Sequence, residues 1–332
     1  MSAKILKTVA RIQDEIKEGQ FYEAQQQTRL VAARYTKSKD WNSAIDILFN
    51  VAKSLLEAKK GGSGGDLCLM LIEVYIQAEL SPDSDNKAKL VTLLHLFDSD
   101  EPTRKKFVGA MIGWSVKFGP FPAGDPELHH IVGSIYADEL DVYEAERHLT
   151  LGTKDSPEIL AKLEYKWYSD NESHTAAQYA ARAVFPYLLA GNIRDADRSL
   201  QVFLSNLTTT NKSVPVQSIS SNNADVQIFP SIPLLNFLSL LILVIQKSNP
   251  NIFRQLVDRY LIQIKELRIW DDTLTRLGEL YFGIERPRQG NPLMDILGGF
   301  FGGAAPNVTK PKRIGAVEIP KPSEVPTADD LD

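Results

Sequence analysis

The sequence predicts an all-α fold: an irregular, TPR-like helical-hairpin solenoid of about 14 helices, with one β-hairpin inserted near residues 212–229. Three observations carry this. From Ala3 to about Leu207, apolar residues recur at three- and four-residue spacings almost without interruption, the period of a helix face. Turn-forming residues cut the pattern at short intervals. Four helix entrances share one form: Gly19-Gln-Phe-Tyr-Glu-Ala24, Lys39-Asp-Trp-Asn-Ser-Ala44, Leu140-Asp-Val-Tyr-Glu-Ala145 and Gly191-Asn-Ile-Arg-Asp-Ala196.

Each entrance has a turn, then an apolar residue, then an alanine three places on that lets a neighbouring helix come close. The alanines lie 20, 101 and 51 residues apart, so no fixed 34-residue period exists. The clearest stripes are Ile5, Val9, Ile12 and Ile16, then Ala44, Ile47, Leu48, Val51 and Leu55, then Leu67, Met70, Leu71 and Val74. Between the stripes stand Gly19-Gln20, Ser38-Lys39-Asp40, the Gly61–Gly65 run, Ser81-Pro82, Glu101-Pro102, Gly119-Pro120, Asp125-Pro126, Ser156-Pro157 and Gly191-Asn192. Ser or Asp followed by Pro is helix-start chemistry. Helices of about 12–20 residues joined by short turns must lie antiparallel to their neighbours. Residues 208–230 lose the helical period and alternate around Asn222-Asn223, a hairpin pattern that competes with a polar loop. Three helices are predicted after it, at about 232–247, 250–264 and 271–283. From Glu285 onward Gly and Pro dominate around the apolar island Leu293–Leu297, and residues 304–332 have no apolar period, a composition expected to stay disordered.

Composition excludes several functions. The 332 residues carry 37 Lys+Arg against 42 Asp+Glu, a net charge of −5, which argues against general nucleic-acid binding. The single cysteine, Cys68, rules out a disulfide framework or a cysteine zinc site and fits a reducing compartment. The first residues carry charges every few positions and lack the apolar stretch of a secretory signal. The most apolar run, Pro233–Ile245, is too short for the roughly 20 residues of a membrane span. It reads either as a helix buried on nearly all sides or as a groove for apolar cargo.

Catalytic signatures are lacking. No Walker A loop, nucleophile elbow or H-E-x-x-H motif occurs. The Gly61–Gly65 run lacks the Lys-Ser/Thr of a phosphate loop and reads as a flexible helix connection. His129 and His130 point about 100° apart on a helix and cannot grip one metal together. His95, His148 and His174 lie far apart in sequence. No cofactor is expected, and a binding scaffold is the default use of a helical solenoid.

Three surfaces are candidates. Lys4, Lys7 and Arg11 line one face of the first helix, opposite its apolar stripe, and Tyr22, Arg29, Arg34 and Tyr35 continue on the second. Residues 1–60 carry a local balance of +4, which leaves −9 for the remainder, and suits docking on an acidic partner; a solvated face is the plain alternative. Asp66 and Glu73 are seven apart on one helix face, extended by Gln77, and Asp66 alone would serve as a helix N-cap. Finally, Val226, Ile228, Phe229, Leu234, Leu235 and Phe237 give the hairpin and the helix after it a large apolar surface, into which a partner helix could lie.

The segments Gly19–Gln25 with Arg34-Tyr35, Gly65–Glu73, Pro126–His129, Pro233–Phe237 and Leu277–Ile284, in this order, resemble the Golgi-to-ER traffic protein four family. That family is the α-solenoid subunit of the guided-entry pathway for tail-anchored proteins. The resemblance implies a cytosolic, non-catalytic scaffold. It implies that residues 1–150 dock the pathway's dimeric targeting ATPase, through Lys4, Lys7, Arg11, Tyr22, Arg29, Arg34 and Tyr35. It makes Asp66 and Glu73 an acidic face that regulates the ATPase. Residues 151–284 would hold a ubiquitin-like-domain adaptor at the apolar surface, which links indirectly to the co-chaperone carrying tail-anchored cargo. The tail, 285–332, receives no role. The competing reading is a direct holdase for hydrophobic segments.

Overall fold

A computed structural model describes residues 3–211, 214–221 and 224–285, with side chains at 218–221 and 224–226 left aside. The expected tail and its apolar island lie outside the described residues.

The first four helices, α1 (Ala3–Lys17), α2 (Phe21–Lys37), α3 (Trp41–Glu57) and α4 (Gly61–Gln77), are built on one repeated turn. Gly19, Lys39, Lys59 and Glu79 each follow a helix in the left-handed conformation, with φ of 86°, 59°, 59° and 51°. At each, the left-handed residue donates three residues back, and its successor donates five back, as Gln20 N–H does to Glu15 O and Lys60 N–H to Leu55 O. This is the Schellman closure, which satisfies helix-end carbonyls and reverses the chain in three residues. Leu140 and Gly191 repeat it farther on. A 17-residue helix and a three-residue turn make a 20-residue unit.

The close helix approach predicted from alanine is present. Ala24, Ala44, Ala145 and Ala196 are fully buried. Gly64 holds the same place in the third unit, 20 residues after Ala44, where a methyl group would lie 2.8 Å from Leu56 Cγ and 3.2 Å from its backbone nitrogen. A methyl on Gly65 would lie 2.3 Å from Thr103 Oγ1. The expectation of a flexible connection at Gly61–Gly65 is thus corrected: these residues are the opening turns of α4, and two of the glycines are close-packing contacts.

Beyond α4 come α5 (Ser84–Leu94), α6 (Pro102–Phe118), α7 (Pro126–Asp138), α8 (Val142–Leu149), α9 (Ser156–Ser169), α10 (Ala176–Leu189) and α11 (Ile193–Thr210). Each packs chiefly on its nearest predecessors and successors, the contact pattern of an α-solenoid. Of the Pro-led starts, Asp125-Pro126 is as predicted, with Asp125 accepting from Glu127 N and Leu128 N; Ser81-Pro82 instead precedes α5, which begins at Ser84 under an Asp83 cap, and Ser156 is the first residue of α9 rather than its cap. The hairpin forms from β1 (Gln217–Ser221) and β2 (Ala224–Ile228), antiparallel, with Ile219 opposite Val226. The last helices are α12 (Pro233–Lys247), α13 (Pro250–Arg259), α14 (Leu261–Leu267) and α15 (Asp271–Phe282). The helix expected at 250–264 is therefore two, broken at Tyr260, whose ring packs against Phe237 at 5.5 Å. Tyr281 Oη donates to Leu188 O and ties α15 back to α10.

Two substitutions separate the turn from the crossing. Gly64→Ala is expected to destabilise by about 1–3 kcal/mol, because the backbone at Leu56 cannot yield as a side chain can. Lys39→Gly is expected to stabilise by about 0.5–1 kcal/mol by relieving a non-glycine left-handed residue. Urea unfolding of the two variants checks both signs.

Candidate functional site

The N-terminal surface rests on buried apolar contacts. Ile5 and Val9 of α1 pack with Ile47 of α3, and Val31 and Tyr35 of α2 close over them. This leaves Lys4, Lys7 and Arg11 exposed on the outer side of α1. Arg11 Nη2 donates to Gln27 Oε1 at 3.1 Å and joins that side to α2. On α2, Arg29 and Arg34 are exposed and Tyr22 is 67% exposed. Tyr35 is half-buried within the α1–α2–α3 seam, so its ring belongs partly to the fold.

The two N-terminal surfaces that the sequence separates are one in the structure. Gln25 Nε2 donates to Asp66 Oδ2 at 2.8 Å, and Arg29 Nη1 lies 3.6 Å from the same oxygen. Asp66 is not an N-cap. Lys60 holds that position, and Asp66 sits in the second turn of α4, facing α2. Asp66 and Glu73 are both exposed on α4, as their spacing predicts. A cavity of about 300 Å³ opens between α2 and α4, with Ala33 and Met70 among its lining and Lys37 and Glu73 bringing opposite charges to it.

Sequence reasoning missed Leu30, which is 72% exposed on α2. Its signal was legible: it falls out of phase with the buried Ala24, Thr28 and Ala32 of the same helix. An exposed leucine on the same helix as an exposed tyrosine, with Arg29 and Arg34 near it in sequence, has the composition of an interface anchor.

The C-terminal surface needs correction. Phe229, Leu235 and Phe237 are fully buried in the chain's own core. Asn236 fixes the end of the hairpin by accepting from Phe229 N–H at 2.8 Å and donating to Phe229 O at 3.0 Å. Phe237 stacks on Trp270 at 5.9 Å. Only Ile228 and Leu234 remain half-buried, and the side chain of Val226 lies outside the described residues. Exposed apolar area stands instead at Ile262, 73% exposed, and at Ile269 and Leu280.

The histidines form a pair that the sequence did not show. His129 Nε2 lies 3.0 Å from Ala123 O, a group that can only accept, so the proton is on Nε2. His129 Nδ1 then accepts from His148 Nδ1–H at 3.0 Å. His130 turns away to Ser156 Oγ. Burial, with neighbouring His129 and Arg147 adding to it, lowers the His148 pKa to about 4, and burial also lowers that of His129. A neutral, buried, mutually bonded pair is a packing element. Burial likewise pushes the Cys68 thiol up, away from the thiolate form. Among the described residues, no cluster of three or more His, Cys, Asp or Glu is placed to hold a metal, and no helix is long and apolar enough to cross a membrane.

The sequence model of the family described as Golgi to ER traffic protein 4 matches residues 38–301. The chain belongs to that family. Golgi to ER traffic protein 4 of Aspergillus fumigatus is 50% identical over 317 residues, which cover 91% of this chain and 92% of the relative. The protein of the same name from Schizosaccharomyces pombe is 32% identical over 305 residues, 91% of this chain and 96% of its own length. The crystal structure of C. therm. Get4 matches with a TM-score of 0.84 at 50% identity, over 93% of this chain and 99% of that one. That structure therefore shares the α-solenoid described above.

The histidine pair makes stability acid-sensitive. Below about pH 6.5 the unfolded chain takes up a proton that folded His148 refuses until about pH 4. Stability should fall through that window by on the order of 3 kcal/mol, at about 1.4 kcal/mol per pKa unit. His148→Gln keeps a donor for His129 but cannot titrate, so its stability should fall less. Urea midpoints of both chains from pH 7.5 to 4.5 test the difference, and parallel curves would refute it.

Proposed function

We propose that this chain is a non-catalytic scaffold of ER-directed traffic. Its N-terminal half, residues 1–150, docks a dimeric targeting ATPase, and its C-terminal half, residues 151–284, holds a ubiquitin-like-domain adaptor. The scaffold raises the effective concentration of cargo donor and acceptor and so speeds handoff without touching the cargo. Family membership supports a role in traffic. The observation that carries the N-terminal assignment is the continuous face of α1, α2 and α4, where Tyr22 and Leu30 stand exposed beside Arg29, Arg34, Lys4, Lys7 and Arg11.

Within that face the roles differ. Lys4, Lys7 and Arg11 are exposed and steer an acidic partner, a contribution screened by salt over about 10 Å at 0.1 M. Tyr22 and Leu30 supply the apolar contact. Asp66, held by Gln25 and Arg29, and Glu73 bring acidic groups within reach of a partner already docked on the basic side. Selection of one nucleotide state would require contacts that differ between the states, since equal affinity shifts no equilibrium. At the other end, Ile262, Ile269 and Leu280 join Ile228 and Leu234 as the apolar groups available to an adaptor. The holdase reading loses ground, because α12 spends Leu235, Phe237, Leu238, Leu241 and Ile242 on the chain's own core.

Calorimetric titration against the ATPase, with and without ATP and at two salt concentrations, tests the reading. Binding should weaken with salt and tighten with ATP. Tyr22→Ala and Leu30→Ala should each weaken it by about tenfold. Reversal of Lys4, Lys7 and Arg11 to Glu should do at least as much, with adaptor binding unchanged. Ile262→Asp should show the opposite selectivity. Loss of both partners in one folded variant would sink the two-surface scheme.

A further inference from the structure

The middle of the solenoid carries a built cleft that the scaffold reading does not use. It lies between α8 and α9, encloses about 300 Å³, and is walled by Leu140, Val142, Tyr143, Leu163 and Trp167. Tyr143 is 68% exposed and Leu140 50% exposed, so the walls are open to solvent. We propose that this cleft docks a short segment of a partner protein in which an apolar side chain is followed by a lysine or arginine. This would be a third interface, separate from the two ends already assigned.

The aromatic wall is held in advance. Tyr143 and Trp167 meet edge to face at 5.9 Å, and Trp167 meets Tyr179 in the same way at 5.4 Å. The Arg182 guanidinium lies against both walls, 5.1 Å from the Tyr143 ring and 4.8 Å from the Trp167 ring. Arg182 is itself anchored, with Nη2 2.7 Å from Glu146 and Nε 3.4 Å from Glu164. Glu164 is fully buried, and burial beside Glu146 raises its pKa. A buried polar cluster of this kind gains less for stability than apolar packing would. Here it fixes a half-buried Trp167 beside an exposed Tyr143, which is how a preorganised aromatic site is built.

Charge selects the occupant. Asp170 ends α9 as its C-cap, at the negative end of the helix dipole, where a carboxylate is unfavourable. It makes no ion pair with any described residue. Asp141, on the other side of the cleft, has only Lys105 at 4.0 Å. Lys166 also lines the cleft, exposed and unpaired with Asp170, and leaves the rim net acidic. An apolar side chain therefore packs on the open side of the ring pair, beside Leu140, Val142 and Leu163, while its cationic neighbour meets Asp170.

The probes are N-acetyl-leucyl-lysine amide and N-acetyl-leucyl-glutamate amide, titrated into the full chain with its indole nitrogens labelled. The four tryptophans give four indole signals, and Trp167→Phe assigns the relevant one. The leucyl-lysine probe should shift the Trp167 signal at low-millimolar concentration and leave the other three in place. The glutamate probe, and the lysine probe against Asp170→Asn, should each bind about fivefold more weakly, the worth of one exposed ion pair. Tyr143→Ala should remove the response while the other indole signals report an intact fold. The proposal falls if no probe shifts Trp167 by about 10 mM. It falls equally if both probes act alike, or if the response survives in Tyr143→Ala.

Discussion

Neighbouring helices in the N-terminal half cross where the backbone of one lies within van der Waals reach of the other, and nothing larger than a methyl fits between them. Ala24, Ala44 and Gly64 fill that position in three successive helices, at a spacing of 20 residues. The crossing makes the three-residue turn possible, because only closely packed antiparallel helices can be joined by so short a connection. The turn in turn requires a left-handed residue at 19, 39, 59 and 79, which glycine occupies only at the first. Lysine or glutamate at the other three costs about 1 kcal/mol each, offset by the helix-end carbonyls that the motif satisfies. Because the repeat returns every second helix to the same side, α2 and α4 stand beside each other. The Gln25–Asp66–Arg29 contact is a consequence of that register.

That contact changes how the N-terminal face works. A free basic patch and a free acidic stripe would act independently on a partner. Arg29 and Asp66 instead share their charge across the α2–α4 groove, about half of each side chain being exposed. Such a pair is worth little to stability. In the proposed assembly its effect would be on recognition: a partner that offers a cation to Asp66 would free Arg29 for a carboxylate, and the reverse holds as well. Under the proposed function, such a face would favour a partner with both signs in a matching order over a uniformly acidic one, specificity by arrangement rather than by net charge.

Much of the fold was legible because it depends on local period. The Ile5–Val9–Ile12–Ile16 stripe is buried as read, the four alanines are buried, and the Asn-centred alternation forms a hairpin. The 20-residue repeat was hidden for two reasons. Three of its four turn residues are not glycine, and its third small residue stands inside a glycine run that imitates a linker. The site was legible where exposure follows from helix phase alone, as at Lys4, Lys7, Arg11, Asp66 and Glu73. It was misread where burial depends on distant partners. Phe229 and Phe237 look like surplus apolar surface until Asn236 and Trp270 cover them, and the pairing of His129 with His148 has no local signature at all.

The same distinction explains why apolar exposure is the better guide to function at the two ends. A residue such as Leu235 is apolar in a strongly apolar helix, and its burial follows from ordinary packing. Leu30 and Ile262 are apolar where the phase of their helices assigns solvent, and no described neighbour covers them. Solvent exposure of a leucine or isoleucine gains the isolated fold nothing, whereas burial at an interface would contribute about 1.5–3 kcal/mol for each. Their position against the helix phase, rather than their hydrophobicity, is what makes them candidates for the contacts proposed above. In a solenoid, whose helices each bury one face on their neighbours and leave the other open, that outer face is where partners can be met along the length of the chain.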